Sequence, residues 1–217
     1  MLAMGVGARR EALANVRPDR VILLSKDALA PSQSYIPQAT AVLIRNLAGI
    51  RHDARGNPIA VPEAHIFVWA REMVTGTGVG FPITGAGREL TEYTPELHLT
   101  SGRMFRRGLR ELIASNYCAR VYNDFSVGDT RVIEGKDWRV VGNFNLGRAD
   151  GTCTVYADVD TVLSTFADNG YNEVNVMLQS PSGGEPFRFS IQPRSRALSS
   201  IARRRMVTRY RSDRGAP

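Results

Sequence analysis

The sequence predicts an α+β fold, a mixed sheet with packed helices plus a small inserted β-rich, barrel-like unit. Three observations carry that prediction. Helical and strand-like stretches alternate along 217 residues without a regular long period or an internal repeat. Hydrophobic residues make up 43% of the chain and charged residues 23%, a balance that suits a buried core rather than a disordered chain. A two-strand pattern around residues 127–144 sits between two stretches with helical spacing.

In chain order, residues 2–15 read as a helix ended by Pro18, and residues 20–26 as a buried strand. Residues 31–34 read as a loop. Residues 36–47 carry Ala39, Val42, Leu43 and Leu47 at helical spacing, with Gly49 as the stop. A turn at 55–58 precedes strand-like 59–61 and 65–72, then a glycine-rich loop, then a short helical turn at 92–97. Residues 110–125 place Leu112, Ile113, Tyr117, Val121 and Phe125 on one helical face. Val127, Gly128 and Asp129 form a turn, and residues 130–134 and 137–144 a hairpin joined by Gly135 and Lys136. Residues 152–156 read as a strand. Asp158 is suited to cap a helix running to Phe166, which Asn169 and Gly170 end. Residues 172–178 alternate Val174, Val176 and Leu178, the pattern of a half-buried strand.

The formal charge of +7 is localised. Residues 185–217 hold nine arginines against Glu185 and Asp213, which accounts for all of it, while residues 1–184 are balanced. A folded nucleic-acid reader carries its positive charge on a structured face, often with stacking aromatics, and residues 1–184 show no such excess. No apolar run approaches the roughly 20 residues that span a bilayer. Arg9 and Arg10 follow the apolar start instead of preceding it, so neither a spanning segment nor an export signal is expected. Cys118 and Cys153 lie in no metal-binding spacing. They read as two small buried residues or, in an oxidising compartment, as a disulfide.

Several short motifs occur in order: Arg17 to Lys26; Ile36 and Pro37 before a helix, with Gly49 and Ile50 after it; Gly102, Arg103, Met104 and Phe105, then Gly108 and Arg110 to Ile113; Val127 to Thr130; Trp138 to Gly142; and Tyr156 to Val159. Together they resemble the extracytoplasmic core domain of MacB-like (FtsX-like) ABC-transporter permeases, over most of residues 1–180. The resemblance implies a domain of two lobes at 1–184, the smaller and β-rich one at about 101–150, followed by a basic Arg/Ser-rich tail at 185–217. It implies a module that contacts substrate or partner proteins and transmits conformational change on the outer face of the bacterial inner or plasma membrane. It further implies an ABC-transporter ATPase subunit and a membrane-fusion or other extracytoplasmic protein as partners, with ATP hydrolysed elsewhere. The family's flanking membrane helices are absent from the chain.

The motif residues read as scaffold. Gly102 and Gly128 suit turns with positive φ, Asp129 a turn cap, Trp138 a large apolar anchor and Gly142 a bulge or close backbone approach. Arg103, Phe105 and Asp158 belong to the same motif set. No catalytic residue, cofactor site or metal site is expected. The glycines at 76, 78 and 80 lack the Lys-Ser/Thr ending of a phosphate loop, and Pro82 blocks the helix that would follow, so they read as a flexible hairpin tip. His52, His65 and His98 pair with no motif-embedded nucleophile, and His65 reads as a packed or rim histidine.

The tail admits two readings. Arginine outnumbers lysine 26 to 2, as in a GC-rich gene, and the tail is expected to be disordered or frameshift-derived. The alternative is a soluble protein binding nucleic acid or an anionic surface through Arg203, Arg204, Arg205, Arg209 and Arg211, with salt-sensitive, sequence-independent affinity.

Overall fold

In the computed structural model, which describes residues 19–147, 151–180 and 201–204, one open sheet organises the chain. The elements are β1 (Arg20–Ser25), β2 (Ile36–Pro37), α1 (Gln38–Arg45), β3 (Ala60–Arg71), β4 (Gly78–Ala86), α2 (Leu90–Tyr93), β5 (His98–Gly102), β6 (Glu111–Ser115), α3 (Asn116–Val121), β7 (Thr130–Ile133), β8 (Lys136–Asn145), β9 (Val155–Asp158), α4 (Val159–Phe166), β10 (Gly170–Tyr171), β11 (Glu173–Met177) and β12 (Ile201–Arg204). The sheet runs β12-β1-β11-β3-β4-β9-β6-β8-β5, with β7 also pairing β8. The β4–β9 and β6–β8 pairs are parallel and the rest antiparallel. A separate ribbon joins β2 to β10. The mixed sheet with packed helices is the α+β class predicted from sequence.

Alternation along the strands gives the sheet two buried faces. One face carries Val21, Leu23, Ala60, Ala64, Ile83, Val155 and Val174, covered by Ile44 of α1 and Val162 and Leu163 of α4. The other carries Val61, Ala86, Ile113 and Met177, covered by Leu90 and Tyr93 of α2 and by Leu97. Gly85 lets α4 approach β4: a Cβ there would lie 3.0 Å from Val159 Cα and Val162 Cβ.

Four expectations are corrected. The barrel-like unit does not close: β7 and β5 occupy successive stretches of the same edge of β8, and the sheet remains open. Residues 110–125 are not one helix. Glu111–Ser115 is a fully buried strand between β8 and β9, and the helix begins only at Asn116. A short apolar run covered on both faces carries no period that separates strand from helix. The glycine-rich segment is a hairpin tip only at Gly76; Gly78 and Gly80 begin the second arm, Gly78–Ala86, of a long hairpin with β3. Glu173–Met177 is buried throughout rather than half-buried.

The hairpin at 130–145 forms, with its turn one residue earlier than expected: Glu134 and Gly135, not Gly135 and Lys136, are left-handed (φ 50° and 67°), as a tight hairpin turn requires, and Lys136 already pairs with Ile133. Of the tail, expected to be disordered or frameshift-derived, residues 201–204 form β12 beside β1, and the rest lies outside the described residues. The helix expected at 2–15 lies outside the described residues.

Cys118 and Cys153 are joined by a disulfide with Cα atoms 4.6 Å apart, tying α3 to the segment that leads into β9. Crosslinking residues 35 apart constrains the unfolded chain by about 3–4 kcal/mol. The Cys118→Ala/Cys153→Ala variant is therefore expected to lose stability on that scale in urea unfolding; an unchanged midpoint contradicts a formed bridge.

Candidate functional site

The motif residues converge on one loop. Gly102, at the end of β5, has φ +73°, and a Cβ there would collide with the Val141 carbonyl oxygen. A Cβ on Gly142 would likewise collide with the Arg103 carbonyl oxygen, so the two glycines permit close approach of β5 and β8 where the β6–β8 register shifts. The next residues are held by two carboxylates. Arg103 donates to both oxygens of Glu111 at 2.7 and 2.6 Å, and the Arg106 amide donates to Glu111 at 2.8 Å. These contacts, led by the Arg103 hydrogen bonds, hold the Glu111 carboxyl below its usual range. Asp158 accepts from the Gly108 amide at 3.1 Å while capping α4 through the Thr161 amide at 3.1 Å and hydroxyl at 2.7 Å.

The remaining motif residues are architectural in their contacts. Phe105 packs on the core of Ile113 and Phe144. Gly128 has φ +101°, and Asp129 accepts from the Ser126 amide at 2.8 Å. Trp138 is buried in the core. Arg203 and Arg204 lie in β12; Arg205, Arg209 and Arg211 lie outside the described residues. Sequence reasoning missed Asn143, a buried amide on β8 that donates to the Ala114 and Phe125 carbonyls at 3.2 and 2.8 Å and accepts from the Val127 amide at 3.2 Å.

A second group was not anticipated. Glu63 and His65, two apart on β3, face the same way, and Glu173 on β11 is the direct cross-strand partner of Glu63. His65 Nε2 lies 3.5 Å from Glu173 Oε1, and His65 Nδ1 lies 3.2 Å from the Thr84 hydroxyl. The Asn175 amide donates to Glu173 Oε1 at 3.0 Å, whereas Glu173 Oε2 is buried without a hydrogen-bond partner. Burial first, and then the Glu173 charge, push the Glu63 carboxyl well above its ordinary range. Tyr93 and Tyr156 face this group; burial chiefly pushes their phenols up, with both glutamate charges adding. Arg20 on the same face gives its guanidinium to Glu96, at 2.9 and 3.1 Å, and stacks over Tyr93.

Further along the same face of β3 the cover ends. Phe67 and Trp69 are 67% and 75% exposed, and Val74 in the turn beyond is 92% exposed. Trp69 lies over Gly80 of β4, where a side chain would meet its ring. The arm is held near its tip: the Arg131 guanidinium donates to the Trp69 carbonyl at 3.0 Å, and the Met73 amide, in the turn, donates to the Val121 carbonyl at 2.8 Å. Such apolar surface on a pinned hairpin is the kind that partners cover.

No known family pattern matches the chain, and no curated protein matches it by sequence. Solved structures do. The extracellular domain of the noncanonic ABC-type transporter YknZ from Gram-positive bacteria is similar with a TM-score of 0.58 and 16% identity, over 77% of this chain and 88% of that one. The periplasmic region of MacB from Actinobacillus actinomycetemcomitans is similar with a TM-score of 0.62 and 12% identity, over 90% of this chain and 94% of that one. The chain therefore has the fold of extracytoplasmic domains of ABC-type transporters.

Because Glu63 binds its proton more tightly folded than unfolded, its contribution to stability is whole below about pH 4.5 and is lost as pH rises through the raised folded value. In metal-free buffer Glu63→Gln is expected to melt a few degrees higher than the parent chain above neutral pH and to converge with it at about pH 4. A difference of constant size across that range contradicts the assignment.

Proposed function

We propose that this chain, built on the fold of extracytoplasmic ABC-transporter domains, is such a domain of a permease. In this reading it contacts a substrate or partner protein, among them a membrane-fusion or other extracytoplasmic protein, and relays movement between that protein and a membrane-embedded part driven by an ATPase. The observation that carries the reading is likeness to the MacB periplasmic region over nine-tenths of the chain. Two features add support. A disulfide suits an oxidising, extracytoplasmic compartment. The exposed Phe67, Trp69 and Val74 offer a contact surface on a hairpin that is pinned to the body near its turn. No helix among the described residues is long and apolar enough to cross a membrane. The role needs no catalytic group.

A photo-crosslinking amino acid placed at Trp69 or Val74, in the cells that carry the gene, is expected to capture a transporter component or an extracytoplasmic protein. The same group at Val132, exposed on β7, is expected not to. Capture of cytoplasmic proteins or nucleic acid alone contradicts the reading. Trp69→Ala is expected to abolish capture while changing stability by less than about 0.5 kcal/mol, since the ring is mostly exposed.

A further inference from the structure

On β3 and β11, Glu63 and Glu173 can both carry charge only if a cation lies between them. Like charges directly opposite on paired strands destabilise a sheet, and Glu63 and Glu173 are directly opposite and both more than nine-tenths buried. A buried carboxylate persists when paired with a cation or bound to a metal. Arg20, a guanidinium on this face, directs its terminal nitrogen to Glu96 at 2.9 Å and stacks over Tyr93.

The geometry is that of a ligand set. One ligand atom from each of Glu63, His65 and Glu173 lies within 4.8 Å of the other two. Metal–ligand bonds of about 2.0–2.1 Å at tetrahedral angles separate neighbouring donors by about 3.3 Å, and His65 Nε2 stands 3.5 Å from Glu173 Oε1. His65 is oriented as metal-bound histidines are: Nδ1 is held by the Thr84 hydroxyl, which turns Nε2 towards the carboxylates. Asn175 holds Glu173 from outside the set. Glu173 Oε2 and His65 Nε2 are buried, lack hydrogen-bond partners and belong to this group. The His65 side chain retains 19% exposure, where the cover over β3 ends, which leaves a way in from solvent.

We propose that Glu63, His65 and Glu173 bind one divalent transition-metal ion of the zinc class, a donor set of imidazole nitrogen and carboxylate oxygen that suits zinc better than calcium or magnesium. The ion neutralises the facing carboxylates and staples β11 to β3 in the middle of the sheet. This is independent of the transporter reading, because it concerns only what the sheet binds.

Calorimetric titration of the tag-free, chelator-stripped chain with Zn²⁺ near neutral pH tests it. The two cysteines are in a disulfide, so no thiol competes. The expected result is one ion per chain and a raised melting temperature. His65→Ala and Glu173→Gln are expected to weaken binding by about 100-fold or more, and Thr84→Val, a positioning change, by about 10–100-fold without altering the metal-free melting temperature. His98→Ala, on the far edge strand, leaves binding unchanged. Co²⁺ in place of Zn²⁺ is expected to give visible absorption that is lost in His65→Ala. A folded parent chain that takes up no zinc overturns the proposal and leaves a shared proton between the glutamates. Uptake of equal strength in His65→Ala, Glu173→Gln and His98→Ala overturns it as adventitious.

Discussion

The parallel pairing of β4 with β9 is the constraint on which the rest of this structure depends. Residues Ile83 to Ala86 run beside Val155 to Asp158, and this seam alone on the sheet path joins β12-β1-β11-β3-β4 to β9-β6-β8-β5. Parallel pairing needs a long crossover, and here the crossover is everything between residues 86 and 155. Gly85 makes the seam possible by letting α4 lie directly on it. Asp158 ends β9, starts α4 and holds the Gly108 amide, so one carboxylate fixes the seam, its covering helix and the loop that leads into β6.

From that joint two consequences follow. The face of the sheet away from α4 is covered by α2 and the following segment only as far as Tyr93 and Tyr156, and the acidic group with His65 lies there, between the sealed core and open solvent. Past that point β3 and β4 continue without cover, exposing Phe67 and Trp69. One strand therefore passes from core, through a buried acidic group with His65, to an exposed apolar surface. A partner that displaces the exposed arm pulls on the strand that carries Glu63 and His65.

Much of the fold was legible where local chemistry decides it. The 130–145 hairpin follows from a turn whose two residues adopt positive φ, and α4 starts where Asp158 caps it. The motif order resembling permease domains pointed to the right fold although solved neighbours share only 12–16% identity. Legibility failed where burial is two-sided or polar. Leu112 to Ala114 are central-strand residues whose continuous apolarity fits a helix as well. In β11 the polar Glu173 and Asn175 looked solvent-facing, yet they line a buried group. That group was beyond spacing rules, since His65 and Glu173 are 108 residues apart and meet only through β11–β3 pairing. Asn143 gave no local signal because its partners come from β6 and the loop before β7.

The proposed relay has to move as one body, which the β4–β9 seam would provide. Native-state hydrogen exchange of backbone amides measures this most directly. The account predicts that protected amides of β3 and β4 and those of β6, β8 and β9 open together, with one free energy shared by the seam at residues 83–86 and 155–158. Seam amides that exchange well before either flank, with the two flanks opening at separate free energies, would contradict a single rigid sheet and, with it, the route by which a pull on the exposed arm reaches the far edge.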